Sequence, residues 1–263
     1  MSSSSPGWID GVRGALLDVD GTLWEAGRPI AGAPEALDRL RAADVPFRLT
    51  TNTTRRPRSA IAAALAAVGI RVAPFEILVP ATLAARRIAA SGRTRVGLLV
   101  PPACAEDLHG LEVVDTSPDW VVVGDLGREF TFERLNRAFH WLRGGARLLA
   151  LHRGRSWMSD EGKIDMDAGA FVAALEYAAS VEAELVGKPA APFFELALAD
   201  LGMRASEVMV VGDDADNDIA GGAAAGLRTA LVRTGKNAEA GTDPPVPPDI
   251  EIDSVAALRP PGS

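Results

Sequence analysis

In the stretch Ala15-Leu16-Leu17-Asp18-Val19-Asp20-Gly21-Thr22 an apolar run stops abruptly at two carboxylates and a glycine. Such a run reads as a buried parallel strand and its exit turn. Side chains alternate along a strand, so Asp18 and Asp20 leave the same face with Val19 between them. Two like charges at that spacing repel unless a cation joins them or one keeps its proton. Both remedies suit phosphoryl chemistry. Taken alone, the stretch reads equally as an acidic turn after a core strand, since Asp-Gly is a common turn signal.

Three other stretches resolve the choice. Thr51-Asn52 and Gly212-Asp213-Asp214 also follow apolar runs, and Gly187-Lys188-Pro189 brings an ammonium. In open parallel sheets, ligands bind beyond the carboxyl ends of the strands where the strand order reverses, so groups far apart in the chain converge there. Gly187 permits a tight approach, and Pro189 starts a helix with Lys188 at its entrance; lysine is a compact point charge suited to phosphate oxygens. Thr51 adds a hydroxyl, and the amides around Asn52 open onto a helix start, a favourable place for an anion. Oxygen ligands from Asp18, Asp20 and Asp213 suit magnesium, and the lack of clustered His or Cys argues against zinc. Asp218 reads either as an outer group orienting Lys188 or a metal water, or as a plain first-turn carboxylate. Asp214 stands in the same outer position, with a solvated turn or helix N-cap as its alternative. His109, His140 and His152 are scattered and read as surface or packing residues, and Trp24 as packing.

The elements that must position these groups alternate in type. Strands are expected over 15–18, 45–51, 207–211 and 229–232, and helices over 33–43, 59–68, 193–201 and 216–225. Between them, helices over 80–90, 132–142 and 169–179 and strands over 95–100, 119–124 and 147–151 form a second unit. The expected fold is α/β: a Rossmann-like, doubly wound parallel core in two parts, 1–77 and 183–263, with an inserted α/β cap domain over 78–182. With 263 residues, 48% hydrophobic and 24% charged, the composition is that of a soluble globular enzyme. A formal charge of −8 argues against a nucleic-acid partner. Cys104 is the single cysteine and fits a reducing, cytoplasmic location. Residues 1–7 read as a flexible leader, and no apolar run approaches the roughly 20 residues that span a bilayer. No G-x-S-x-G elbow or Walker loop is present; Gly235-Lys236-Asn237 lacks the spacing and the hydroxyl of the latter.

Taken together, the four ordered stretches resemble the motifs of the haloacid dehalogenase (HAD) superfamily, and the insert resembles the type-two α/β cap of its NagD-type and 4-nitrophenylphosphatase-like members. The resemblance implies a phosphatase with Asp18 as nucleophile, Asp20 as general acid/base, Thr51, Asn52 and Lys188 as phosphate holders, and Asp213 as a metal ligand. Asp18 and the backbone carbonyl of Asp20 would complete the protein's share of a magnesium shell. The chemistry also stands without the family, since a carboxylate can attack phosphorus once cations screen the dianion, and Asp20 is spaced to move the protons. A phospho-acceptor signalling or metal-binding module is the other reading, and Asp20 and the large cap count against it. Within the enzyme class, pyrophosphatase or phosphoramidase activity stays open. In the similar capped phosphatases the loop equivalent to the one after the strand 147–151 descends over the active site, which implies leaving-group contacts from Arg153, Arg155 and Trp157 in an exposed loop over 152–158. The expected partner is a small phosphorylated substrate, with a homodimer through the cap's apolar helix.

Overall fold

Every residue of the first apolar run is buried, as a central strand covered on both faces requires. The computed structural model describes residues 7–158, 163–238 and 244–261. Most of the leader and the acidic turn Ser159-Asp160-Glu161-Gly162 therefore lie outside the described residues. Along the chain come β1 (Gly14–Asp18), a small hairpin of β2 (Trp24–Glu25) and β3 (Arg28–Pro29), α1 (Ala33–Ala42), β4 (Phe47–Thr50), α2 (Arg58–Ala67) and β5 (Ile77–Leu78). Next are α3 (Pro80–Ala90), β6 (Arg95–Leu99), β7 (Glu112–Val113), β8 (Trp120–Val123), α4 (Phe132–Arg143), β9 (Arg147–Ala150), β10 (Ser156–Met158), β11 (Ile164–Met166), α5 (Ala168–Ala179) and β12 (Glu184–Leu185). The chain finishes with α6 (Ala191–Leu201), β13 (Val208–Gly212), a π-helical turn (Ala215–Ala220), α7 (Gly221–Ala224), β14 (Arg228–Val232) and β15 (Ile250–Ile252). Among the described residues no helix is long and apolar enough to cross a membrane.

The chain divides into two units, one of Met1–Thr51, Arg58–Leu78 and Lys188–Ser263, the other of Asn52–Pro57 and Val79–Gly187. The first unit is built on a parallel sheet in the order β15-β14-β13-β1-β4-β5. From β1 the chain crosses to β4 on one side, and returns much later to β13 on the other. The strand order thus reverses at β1, and the crevice of a doubly wound sheet opens at its carboxyl end, at Asp18. Pro34 at the start of α1 and apolar residues at helical spacing make that helix amphipathic, and it buries Ala33, Ala36, Leu37 and Leu40.

The second unit has its own parallel sheet, β12-β9-β8-β6-β7. Leu99, Val121, Val123, Leu148 and Ala150 from the strands meet Ala138 and Leu142 of α4 and Val172 and Leu175 of α5 in one hydrophobic cluster. Two expectations are corrected here. Glu184-Leu185-Val186 does not open the second part of the core: β12 pairs in parallel with β9, so the inserted unit runs to Gly187. The cause is partly electrostatic, because Glu184 accepts hydrogen bonds from Arg87 and from Arg147, at 3.0 Å for each Nη2. Nor is 152–158 wholly a loop, since Ser156-Trp157-Met158 pairs antiparallel with Ile164-Asp165-Met166.

One glycine shows how tightly the second sheet is covered. A Cβ at Gly97 would stand 2.5 Å from the Trp141 ring, so the bare backbone of β6 makes room for the indole of α4. Gly97→Ala is expected to lower stability by about 1–3 kcal/mol through overpacking. Trp141→Leu in the same chain should return part of that loss, which a double-mutant cycle of urea midpoints measures; additive losses would show that the two groups do not compete for the same space.

Candidate active site

The polar stretches sit where parallel strands of the first unit end. β1 finishes on Asp18, β4 runs into Thr51, and β13 leads to Asp213. Lys188 re-enters this unit from the insert and donates through Nζ to Asp18 Oδ1 at 2.5 Å and to Asp218 Oδ1 at 2.7 Å, all three side chains being buried. Asp218 projects from the π-helical turn and lies directly over Gly212, where a Cβ would stand 2.1 Å from its Oδ2. Two local expectations change. The helix after Lys188 begins at Ala191 instead of Pro189. The helix after Asn52 begins only at Arg58, so Asn52 is not at a helix start; it clusters with the second unit, its Oδ1 beside Gly187. Pro57 delays the helix, since the residue before a proline is disfavoured in helical conformation.

Asp18, Asp213 and Asp218 each offer an oxygen within 4.8 Å of the others. Burial pushes the Asp18 carboxyl well above its usual range against the pull of Lys188, and repulsion from Asp218, Asp213 and Asp20 adds to the rise. Burial likewise raises Asp218, with Lys188 opposing. Asp213 is pushed up to about 6 by burial, against the hydrogen bond from the Lys236 amide. Burial alone would lower the Lys188 ammonium, but Asp18 and Asp218 hold it above its ordinary value. Three carboxylates facing one ammonium leave an excess of negative charge in a buried place. An oxygen-preferring divalent cation fits this donor set, and the cluster contains no His or Cys that would favour zinc.

Asp20 turns elsewhere. Its side chain is exposed and accepts hydrogen bonds from the Thr51 hydroxyl at 3.0 Å and the Trp24 indole N–H at 3.0 Å. Its carboxylate is therefore outside the cluster, and a metal role for Asp20 falls to its backbone carbonyl. Asp214 takes the helix-cap alternative: Oδ1 accepts from the amides of Asp216 and Asn217, and Oδ2 from Asn217 and Lys236. Burial would raise it, yet Lys236 and Asn217 bring it down to about 2. Its own backbone N–H donates to Asp218 Oδ2 at 3.3 Å. Trp24 as a hydrogen-bond donor was not readable because an indole beside a turn reads equally as packing, and Lys236 as a neighbour of the cluster because its contacts join separate turns.

In the second unit, the Arg153 guanidinium is paired with Glu176 of α5. Arg155 is exposed, and its carbonyl accepts from the Asp167 amide at 3.1 Å. The backbone of Trp157 lies in β10 opposite Asp165. His152, expected as a surface or packing residue, is buried; its Nδ1 accepts from the Gly154 amide at 3.2 Å and lies 3.6 Å from Asp167 Oδ2.

A buried carboxylate braced by a buried ammonium at the switch point of a doubly wound sheet, with a second α/β unit inserted in the chain, defines a two-unit α/β protein whose acidic site suits phosphoryl chemistry. Comparison with known proteins narrows the class. The profile described as haloacid dehalogenase-like hydrolase matches residues 15–113, and one described as HAD-hydrolase-like matches residues 185–258. The chain belongs to the haloacid dehalogenase-like hydrolase family. It is 36% identical over 236 residues to the phospholysine phosphohistidine inorganic pyrophosphate phosphatase of Xenopus laevis, covering 87% of this chain and 86% of the relative. It is 37% identical over 232 residues to haloacid dehalogenase-like hydrolase domain-containing protein 2 of Bos taurus, covering 88% of each. Among solved structures, p-nitrophenyl phosphatase from Archaeoglobus fulgidus superimposes with a TM-score of 0.88 at 29% identity, over 94% of this chain and 97% of the other. NagD from E. coli shares the fold, with a TM-score of 0.84 at 24% identity over 94% and 98% of the two chains.

His152 supplies a pH readout of the second unit. Burial lowers its pKa from 6.5, with Asp167 and then Asp125 opposing the shift. Below about 6.5 the unfolded chain binds a proton that the folded imidazole resists, so this group's share of stability is complete above that pH and is lost as the pH falls beneath it. The urea midpoint is expected to drop between about pH 7.5 and 5.5, and to drop less in His152→Gln. An equal drop in the variant would assign the dependence to other groups.

Proposed function

We infer that the chain is a magnesium-dependent phosphatase that hydrolyses a small phosphorylated metabolite through an aspartyl-phosphate on Asp18. The observation that carries this reading is the buried Asp18–Lys188 contact at the end of β1, inside a cluster whose negative charge exceeds its positive charge. Asp18 and Asp213 would hold the magnesium with the Asp20 carbonyl, and Asp218 sets Lys188 beside them. When bound, magnesium supplies charge that offsets the phosphate dianion and the carboxylates. Lys188 holds phosphate oxygens, which keeps phosphorus in front of the Asp18 oxygen, while the Thr51 hydroxyl gives its one proton to Asp20. An Asp18 oxygen bonds to phosphorus as the bond to the leaving oxygen breaks, and Asp20 gives that oxygen a proton. Asp20 then takes a proton from water as it attacks phosphorus, releasing inorganic phosphate and restoring the Asp18 carboxylate. The bonds from Thr51 and Trp24 hold the Asp20 side chain in one orientation for both transfers.

The names of the relatives include phosphoramidate, pyrophosphate and nitrophenyl phosphate substrates, so pyrophosphatase and phosphoramidase activities belong in the same panel as sugar phosphates, nucleotides and pyridoxal phosphate. The cap is proposed to select the leaving group through Arg155 and Trp157, Arg153 being engaged with Glu176. A homodimer through the cap is supported by an exposed face of α5 without charge, Ala173, Ala174, Tyr177 and Ala178. A cytoplasmic location fits the single cysteine.

With 4-nitrophenyl phosphate and magnesium the protein should turn over, and metal chelation should abolish it. Asp18→Asn should lose about a thousandfold or more, the amide being near in shape but unable to attack. Asp20→Asn should lose roughly a hundredfold on an alkyl phosphate and less on 4-nitrophenyl phosphate, whose leaving group needs less protonation. Substantial activity in purified Asp18→Asn would sink the mechanism, and equal losses on the two substrates would remove Asp20 as the acid. Arg155→Ala is expected to reorder rates across the metabolite panel while sparing 4-nitrophenyl phosphate; an unchanged ranking would place selection elsewhere.

A further inference from the structure

Gly235-Lys236-Asn237 fails as a phosphate loop in sequence, yet the fold brings it to the carboxylate cluster. β14 lies beside β13, so the turn leaving β14 is the neighbour of Asp213 in the crevice. Three contacts join it there. The Thr234 hydroxyl donates to the Gly21 carbonyl at 2.6 Å, the Lys236 amide donates to Asp213 Oδ2 at 2.7 Å, and Lys236 Nζ donates to Asp214 Oδ2 at 2.5 Å. The packing is closer still. Gly235 has φ +56°, and a Cβ on it would stand 2.1 Å from Asp213 Oδ2 and 2.5 Å from the Gly21 Cα. Gly21, at φ +82°, would put its own Cβ 2.1 Å from the same oxygen.

Asp213 Oδ2 is thus wedged between two glycines and bonded to an amide. The amide bond holds Oδ2 and so disfavours rotation of the carboxylate, which would leave Oδ1 to present to a cation. We propose that the turn 234–236 is a clip that sets the orientation of Asp213 for a divalent cation and ties that carboxylate to the Asp20-Gly21 turn. Thr234 and Gly235 are positioning residues: neither touches substrate, and each acts through Asp213 or Gly21. The proposal rests on the reading that the cluster holds a divalent cation. Its physical basis is that a ligand already held in its binding orientation loses less freedom when the ion arrives, and that partners behind metal ligands are typically worth about 10–100-fold in affinity.

The test is calorimetric titration of magnesium into the metal-stripped full-length protein, without substrate. Thr234→Val keeps the shape but removes the donor, and should weaken binding about tenfold; Thr234→Ser keeps the hydroxyl and should stay within about twofold of wild type. Gly235→Ala should weaken it by about tenfold or more, because its Cβ displaces Asp213 Oδ2. Urea midpoints in chelator establish that each variant is folded, and if Gly235→Ala is not, the Thr234 pair decides. In assays, Thr234→Val should need more magnesium for half-maximal rate, while its substrate KM at saturating magnesium stays near wild type. Wild-type affinity in folded Thr234→Val would overturn the clip, as would a wild-type protein that binds no magnesium. A wild type that binds magnesium and hydrolyses nothing in the panel, with binding lost in Thr234→Val and Gly235→Ala, would refute the phosphatase reading and leave the clip standing.

Discussion

Asp18, Asp213 and Asp218 crowd one buried ammonium, Lys188, and the cost of keeping that much like charge away from water constrains what is built around it. Lys188 offsets part of the repulsion by bonding two of the three carboxylates at once. What remains makes the site receptive to further positive charge, and a phosphate dianion is acceptable there only in company with a cation. Charge imbalance and receptiveness to a cation are therefore one property of this site.

Holding such groups in place demands rigid elements, and the rigidity is largely backbone. β1, β13 and β14 are parallel neighbours with fixed register, so Asp18, Asp213 and the turn 234–236 are spaced by sheet geometry. Gly212 lets Asp218 approach β13, and Gly21 and Gly235 do the same for Asp213. A side chain at any of the three would occupy the position of a carboxylate oxygen. These glycines are thus defined by the groups that lie over them.

Legibility in the sequence followed the same division. Asp18, Thr51, Lys188 and Asp213 could be read because each stands next to a visible apolar run or a Gly-Pro frame, and parallel-sheet topology then brings strand ends together. Asp218 stayed ambiguous because a first-turn carboxylate and a lysine-orienting one look alike until Lys188 is placed beside it. The Lys236 contact with Asp213 had no signature, since it is made by a backbone amide that any residue type would supply. β12 was assigned to the wrong unit because a two-residue strand carries no pattern of its own, and its pairing with β9, supported by Glu184 meeting two arginines, joins residues distant in the chain. The β10–β11 hairpin was missed for a related reason: each strand has three residues, too few to show alternation.

The topology also governs how the molecule is made. Gly14 of β1 pairs with Val208 of β13, and the whole inserted unit lies between them in the chain. The entropy of closing so long a loop rises only logarithmically with its length, but a chain growing from its N-terminus must wait for β13. Until then one edge of β1 has no partner and is an exposed pairing surface. The inserted unit, with its own sheet and apolar cluster, has what it needs to collapse during that interval. Lys188, Asp213 and Asp218 all come after it in the chain, so Asp18 gains its charged neighbours only once the inserted unit has been made.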